Sequence, residues 1–365
     1  MSHKRLRLVP ALGTRGGPAS WRRAREGAPV AGHREGFEDG AWSFLYGEDT
    51  EYAVDAGGQA LEAAARRART GPAPDVVQGP VMKPAVWTWE VPLYFWTGGI
   101  AAGAGFVALA CDIAGDGASA ATARRVSLAA VAPSPLLLIA DLGRPARFLN
   151  MLRIFKPRSP MSMGAWCLTL FANLMAAAVG AELAGRKRAA RALGAAAALA
   201  GGYLGSYTGV LLGSTAVPVW ARSRLFLGPI FVATATATGA AATRLVLVAT
   251  GVPEGHPTRL ALGRVETGAI TAELLLSQIN ERRLGGLADA LEQGGAGKLF
   301  KGGKWAVRAG LAMRLLRRRA GPASHHAASG LYLGAGLAFR YAWVAAGRSS
   351  AQDDRAVAEL ARSRR

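Results

Sequence analysis

Long apolar runs separated by short polar segments dominate the chain from residue 91 onwards. Five runs carry almost no charge, and each is long enough to cross a bilayer, since a helix needs about 20 apolar residues to do so. These runs are residues 91–113, 162–184, 190–213, 225–250 and 327–346. A shorter run at 126–140 contains Pro133 and Pro135, and two weaker candidates, 259–279 and 305–316, carry charged residues. The pattern predicts an all-α polytopic transmembrane helix bundle of about eight spans.

Small residues fill these runs, as in GGIAAGAG at 98–105, LGAAAALAGGYLG at 193–205 and ATATATGAAAT at 233–243. In lipid there is little hydrophobic drive between helices, and Gly, Ala, Ser and Thr allow their backbones to approach closely. We therefore expect tight helix–helix packing rather than a core of large aromatic side chains.

The polar segments predict three regions. Residues 1–84 form a hydrophilic N-terminal tail, 85–350 the transmembrane domain and 351–365 a C-terminal tail. Within the first tail, residues 34–52 are aromatic and acidic, which fits either a disordered segment or one that docks a partner. Residues 59–70 are expected to form a short helix.

The net charge of +20 suggests nucleic acid or an anionic surface as a partner. The basic residues cluster beside the apolar runs, as at Arg124–Arg125 and Arg186–Arg188, without interleaved aromatic residues. That arrangement favours loops facing anionic lipid headgroups over nucleic-acid binding. Counting basic residues in the loops favours a cytoplasmic N-terminus, although both sides of the membrane are basic.

Cofactor ligands are scarce in the sequence. None of the five His residues falls in the middle of an apolar run, and the two cysteines, Cys111 and Cys167, are too few for an iron–sulfur cluster. Haem b needs axial ligands from the helices, and clusters need four thiolates. The sequence therefore predicts a chain with no haem and no metal.

Several polar residues fall close to the ends of predicted spans. They are Glu90, Tyr94, Asp141, Arg144 and Tyr207. Because successive spans run in opposite directions, all five are expected at one membrane face. Ionisable groups at such positions indicate a functional site. Alternatives stay open, since Asp141 and Arg144 could simply form an ion pair and the tyrosines could be interfacial residues.

Two segments carry a family resemblance. APVWTWEVPLYFWTGGIAAGAG, starting at Ala85, and DLGRPARFLNMLRIFKPRSPMSMGAW, starting at Asp141, resemble the NrfD/PsrC family of polysulfide-reductase-type membrane subunits. The later segment YTGVLLGSTAVPVW at 207–220 also fits this family. The resemblance covers roughly 85–350.

The resemblance implies a haem-free membrane anchor that exchanges electrons between an iron–sulfur subunit and the membrane quinone pool. Its partners would be a four-cluster ferredoxin-like iron–sulfur subunit and a molybdopterin catalytic subunit, of the formate dehydrogenase or polysulfide reductase type. Menaquinone or ubiquinone would be an exchangeable substrate. Such a chain is a multi-pass protein of the cell membrane and is not catalytic alone.

The resemblance also assigns roles to residues. Tyr94 falls at a quinone-pocket position where relatives can have His, and Tyr207 at a pocket tyrosine position. Asp141 and Arg144 lie in the family's loop motif. Tyr94, Tyr207 and Arg144 would bind the quinone, while Glu90 and Asp141 would join the two tyrosines in delivering protons. Residues 146–156 are amphipathic and are expected along the membrane surface beside the site.

Two other functions compete with the quinone-reactive anchor. A transporter would also use tightly packed helices, but it should show mid-membrane ligands and inverted repeats. No clear repeat relates 85–220 to 225–346. A purely structural anchor that has lost quinone chemistry is the third hypothesis.

Overall fold

The computed structural model describes residues 81–142, 145–315 and 317–363. The predicted docking segment 34–52, the predicted helix 59–70 and Arg144 lie outside the described residues. Compact packing divides the chain into two units, one of residues 82–357 and the other of 1–81 with 358–365. The helix bundle belongs to the first unit. In the second, the structure describes Val81 and residues 358–363. Residues 358–363 form the end of the last helix.

Most of the described residues are helical, and no strand occurs among them. The first helices are α1 (Glu90–Ile113), α2 (Gly117–Val131), α3 (Ser134–Leu142), α4 (Pro145–Arg153), α5 (Pro160–Leu183) and α6 (Lys187–Gly213). The chain continues with α7 (Pro218–Arg222), α8 (Arg224–Ala249), α9 (Pro257–Leu284), a 3₁₀ turn (Gly285–Ala288), α10 (Asp289–Glu292), α11 (Gly294–Leu315), α12 (Arg317–Ala351) and α13 (Asp354–Ser363). The predicted all-α bundle is confirmed.

Five helical segments of the described chain are long and apolar enough to cross a membrane. They are Glu90–Ile113, Gly117–Leu142, Pro160–Leu183, Lys187–Gly213 and Arg224–Ala249. Four match predicted runs. The remaining segment, Gly117–Leu142, joins α2 to α3 and extends the short predicted run 126–140. The predicted run 327–346 lies in α12 and contains Arg340. The long helices α9, α11 and α12 carry more charged residues than these five. The total of eight spans therefore stays a prediction.

Helices α1 and α8 cross at the centre of the bundle through glycines. A Cβ atom at Gly103 would overlap the carbonyl oxygen of Ala235, and one at Gly239 would overlap the backbone nitrogen of Ala104. Helix α6 meets α8 in the same way, since a Cβ at Gly209 would overlap the carbonyl of Leu227. The predicted close approach of helices is confirmed, because these backbones touch where a side chain would not fit. The expectation that large aromatic side chains are missing from the core is wrong, since Trp220 and Trp343 are fully buried.

An ion cluster joins α1, α2 and α5 at the end of the bundle where α1 ends. The buried Arg124 guanidinium lies 2.7 Å from a carboxylate oxygen of Asp112 and 2.7 Å from one of Glu182. Its neighbour Arg125 is exposed and reaches Glu182 at 3.3 Å. The expectation that both arginines face lipid headgroups is therefore wrong for Arg124. Because the two carboxylates neutralise its charge within the protein, Arg124 can lie inside α2, seven residues after the helix begins.

The turn between α1 and α2 is fixed by Asp116. Its carboxylate accepts a hydrogen bond from the backbone N–H of Ser119, which caps α2, and another from the hydroxyl of Thr258 at the start of α9. Partial burial raises the pKa of Asp116, but these hydrogen bonds lower it by more, so the pKa lies below the usual value for aspartate. The charged carboxylate thus links the α1–α2 turn to α9.

We expect Asp116→Ala to lower the free energy of unfolding by about 1 kcal/mol, because helix α2 loses its N-cap. Asp116→Asn keeps an acceptor but loses the charge. A carboxyl whose pKa is depressed by folding contributes stability above its unfolded pKa, and that contribution disappears as the pH falls through the folded value. The difference in unfolding midpoint between wild type and Asp116→Asn should therefore shrink as the pH falls below about 4. A difference that is unchanged at pH 3 would contradict this role.

Candidate functional site

The residues singled out from the sequence gather at one end of the bundle. Short connections make α1 antiparallel to α2 and α5 antiparallel to α6, so Glu90, Asp141, Pro160 and Gly213 lie at the same end. We call this the tyrosine end. At the other end, the turns 114–116 and 184–186 are joined by the Arg124 ion cluster.

Tyr207 on α6 is buried, with 4% of its surface exposed, and its ring packs against α5. A Cβ at Gly164 would overlap Cζ and the hydroxyl oxygen of this ring. On its own helix, Tyr207 stacks with Tyr203 at a centroid distance of 5.9 Å. Gly164 is therefore the residue that leaves room for the phenol between α5 and α6. Sequence reasoning missed Gly164, which falls within the quoted segment SPMSMGAW.

Tyr94 on α1 is equally buried and packs beside Phe95, with ring centroids 5.8 Å apart. The Tyr94 ring runs along its own helix towards Gly98, where a Cβ would lie 4.0 Å from it. Within the described residues, the hydroxyls of Tyr94 and Tyr207 form no hydrogen bond. Each hydroxyl can therefore donate a hydrogen bond to a bound molecule and accept one from it.

The two carboxylates lie at the rim of this end rather than inside it. Glu90 is the first residue of α1 and accepts a hydrogen bond from the hydroxyl of Thr88. Asp141 is exposed near the end of α3, a helix that packs on α1. Both side chains can exchange protons with water. An ion pair of Asp141 with Arg144 stays a prediction.

An aromatic cluster joins two of the segments that carry the family resemblance. Trp87, just before α1, stacks on Trp220 of α7 at a centroid distance of 5.3 Å and an angle of 20°. The indole N–H of Trp220 donates to the carbonyl of Trp343 at 2.8 Å, which ties α7 to α12. At the same end, the hydroxyl of Tyr341 donates to the carbonyl of Trp89 at 2.9 Å. These contacts close the tyrosine end with residues that are distant in sequence.

An apolar cavity of about 210 Å³ lies beside α5. Its lining includes Leu138 of α3, Phe148 and Leu152 of α4, and Ala165 and Leu168 of α5. Ala165 follows Gly164 directly, so the cavity and the Tyr207 ring both contact the second turn of α5. A larger groove of about 660 Å³ between α6, α8 and α9 is lined by Ser206 and Val210, which flank Tyr207 in sequence. Tyr94 and Tyr207 line neither space.

Charged residues also lie inside the second half of the bundle. In the sequence, Glu266 and Glu273 indicate a weak span, whereas Arg340 falls in the apolar run 327–346. Glu266 and Glu273 of α9 and Arg340 of α12 are almost fully buried. Glu266 pairs with Arg314 of α11 and accepts a hydrogen bond from Ser329. Glu273 accepts one from Ser277 at 2.8 Å. Their burial could not be read from the sequence, because it depends on how helices that are distant along the chain pack together.

Within the described residues, no group of three or more His, Cys, Asp or Glu side chains is placed to hold a metal ion. The family of the chain follows from its sequence match. The family described as polysulphide reductase, NrfD, matches residues 80–277, more than half of the 365-residue chain. The chain belongs to the NrfD family. No curated protein matches it. NrfD membership and the five apolar helices identify a membrane protein, the membrane subunit of a polysulfide-reductase-like complex.

Proposed function

We propose that this NrfD subunit passes electrons between an iron–sulfur subunit and the membrane quinone pool at the tyrosine end. The observation that carries the proposal is the pair of buried phenols, Tyr94 and Tyr207, whose hydroxyls form no hydrogen bond within the described residues. Gly164 leaves space for one of them, and an apolar cavity lies beside the same helix, α5. An apolar site with a few placed polar groups suits a quinone.

Reduction of a quinone consumes two electrons and two protons. The electrons would come from an iron–sulfur subunit docked at the tyrosine end. Tyr94 and Tyr207 would orient the substrate by donating hydrogen bonds to its carbonyl oxygens. Glu90 and Asp141, at the rim, would take up protons from water and pass them inward. Arg144 would favour negative charge that develops on the substrate.

Helix α4 suggests where partners meet the subunit. Phe148 and Leu152 turn towards the apolar cavity, while Leu149 and the following Ile154 and Phe155 are more than half exposed. This apolar strip beside the tyrosine end fits the predicted placement of 146–156 along the membrane surface. We propose that the iron–sulfur subunit docks over it and connects to a molybdopterin catalytic subunit, of the formate dehydrogenase or polysulfide reductase type, at the cell membrane.

We expect Tyr94→Phe and Tyr207→Phe each to lower quinone turnover by about tenfold, because one hydrogen bond to the reacting carbonyl is worth about 1–1.5 kcal/mol. The measurement is reduction of a short-chain menaquinone or ubiquinone analogue by the purified complex, with reduced viologen as electron donor. Subunit stoichiometry should stay unchanged, since both variants keep the ring.

Tyr332→Phe is the matched control, because Tyr332 is a fully buried phenol that packs against Gly310 towards the other end of the bundle. Wild-type turnover in both Tyr94→Phe and Tyr207→Phe would exclude these residues from the site. A wild-type complex that assembles but reduces no quinone would favour the purely structural anchor. Uptake of a solute by vesicles carrying the isolated chain would favour the transporter.

A further inference from the structure

A second cavity lies at the end of the bundle opposite the tyrosines. It has a volume of about 410 Å³ and lies between α8, α9, α11 and the start of α12. Four arginines line it, Arg244, Arg259, Arg264 and Arg314. The carboxylates beside them are Glu254 in the lining and Glu266 behind Arg314, which leaves two positive charges in excess. We call it the arginine cavity.

Three of these arginines are buried, with between 4% and 9% of their surface exposed. Arg314 pairs with Glu266. Arg244, in contrast, donates to the carbonyl of His325 and the hydroxyl of Ser329, both at 3.0 Å, and Arg259 donates to the carbonyl of Val252. Among the described residues, no carboxylate forms an ion pair with Arg244 or Arg259. The Nε atoms of all three arginines are buried without a hydrogen-bond partner there.

Such an arrangement is costly for the protein alone. A buried guanidinium that forms no ion pair loses hydration, and neutral carbonyl and hydroxyl acceptors replace only part of it. A bound anion would supply the missing charge and accept hydrogen bonds from several guanidinium groups. Planar guanidinium forks match the oxygen atoms of phosphate, which they bind in bidentate fashion.

The position of the cavity narrows the choice of anion. Arg244 lies in the last two turns of α8, and Arg259 is the third residue of α9, so both fall near helix ends, at the depth of lipid headgroups. Leu315, which also lines the cavity, is 84% exposed and offers apolar surface beside the charges. Gly263 keeps the space open, since a Cβ there would lie 2.7 Å from Nη1 of Arg314.

We propose that the arginine cavity binds a phosphate group, supplied either by an acidic lipid headgroup or by free phosphate. The site is separate from the tyrosine end and does not depend on quinone chemistry. Arg264, which is exposed, holds the outer part of the group, while the buried Arg244, Arg259 and Arg314 supply charge from inside the bundle.

The test uses the full-length chain purified in detergent and two probes. Inorganic phosphate is titrated while the thermal unfolding midpoint is followed. Phosphatidylglycerol is compared with phosphatidylcholine in mixed micelles, with retained lipid counted by native mass spectrometry. The double variant Arg259→Gln/Arg264→Gln removes two cavity charges but leaves the buried Arg314–Glu266 pair intact. Its apparent affinity for the phosphate-bearing probe should fall at least about tenfold, since charge-assisted hydrogen bonds are worth about 1.5–3 kcal/mol each.

Arg186→Gln/Arg188→Gln is the matched control, because it removes two exposed charges at the same end outside the cavity. If the double variant folds poorly, Arg264→Gln alone replaces it, since Arg264 is exposed. A response to phosphate assigns a free ion, and a response to phosphatidylglycerol alone assigns a lipid headgroup; either supports the proposal if the control keeps it. The proposal is overturned if wild type responds to neither probe, or if cavity and control variants respond alike.

Discussion

Replacing Arg314 by Leu should destabilise the protein by about 3–5 kcal/mol, because it leaves the Glu266 carboxylate buried without its cation. Glu266 is fully buried, and Ser329 alone would then donate to the carboxylate oxygen that Arg314 contacts. The unfolding midpoint of the purified chain, measured by intrinsic fluorescence in one detergent at increasing temperature, gives the size of the loss.

The double variant Arg314→Leu/Glu266→Leu distinguishes a buried pair from mere packing. Removing both charges takes away the uncompensated carboxylate, so much of the stability should return. Arg308→Leu on the same helix is the control, since Arg308 is exposed and its loss should change stability by about 0.5 kcal/mol or less. If the double variant is less stable than Arg314→Leu alone, the pair is not what stabilises this part of the bundle.

Gly103→Ala should have the second-largest effect, a loss near the upper end of the 1–3 kcal/mol that overpacking costs. The added Cβ would meet the backbone of Ala235, and a backbone atom cannot move aside by changing rotamer. Helices α1 and α8 would have to separate. This would also displace Tyr94, which lies about two and a half turns before Gly103 on α1. Both the unfolding midpoint and quinone turnover should therefore fall.

Gly180→Ala is the matched control, because it adds the same atom to a transmembrane helix with open space around it. Alanine favours helix over glycine, so Gly180→Ala should be neutral or slightly stabilising. Equal stability of Gly103→Ala and Gly180→Ala would show that α1 and α8 do not touch at this crossing.

Most of the fold follows from the sequence because lipid imposes simple rules on length and polarity. The runs 91–113, 162–184, 190–213 and 225–250 correspond to α1, α5, α6 and α8 within a few residues. The span 117–142 was predicted too short, because Arg124 interrupts the apolar pattern. Hydropathy counts that arginine as exposed, whereas Asp112 and Glu182 neutralise it inside the bundle.

The candidate site was predictable only in part. Alternating helix direction is enough to bring Glu90, Tyr94, Asp141 and Tyr207 to one end. The contact between Tyr207 and Gly164, or between Trp87 and Trp220, depends on how the helices rotate about their axes, which periodicity leaves open in chains rich in small residues. The arginine cavity escaped prediction for the same reason, since Arg244 and Arg314 are 70 positions apart.

The hydrogen bond between Trp220 and Trp343 joins residues on either side of the point where the family match ends. The family match stops at residue 277, yet the Trp220 indole lies against Gly347, where a Cβ would overlap its ring. A protein truncated after residue 277 would lack the carbonyl that accepts the hydrogen bond from this indole, and one face of the ring would be exposed. A chimaera that takes its last helices from a relative would therefore need a glycine at the position of Gly347, so that the Trp220 ring still fits. The structural unit of this subunit therefore extends beyond residue 277, where the family match ends.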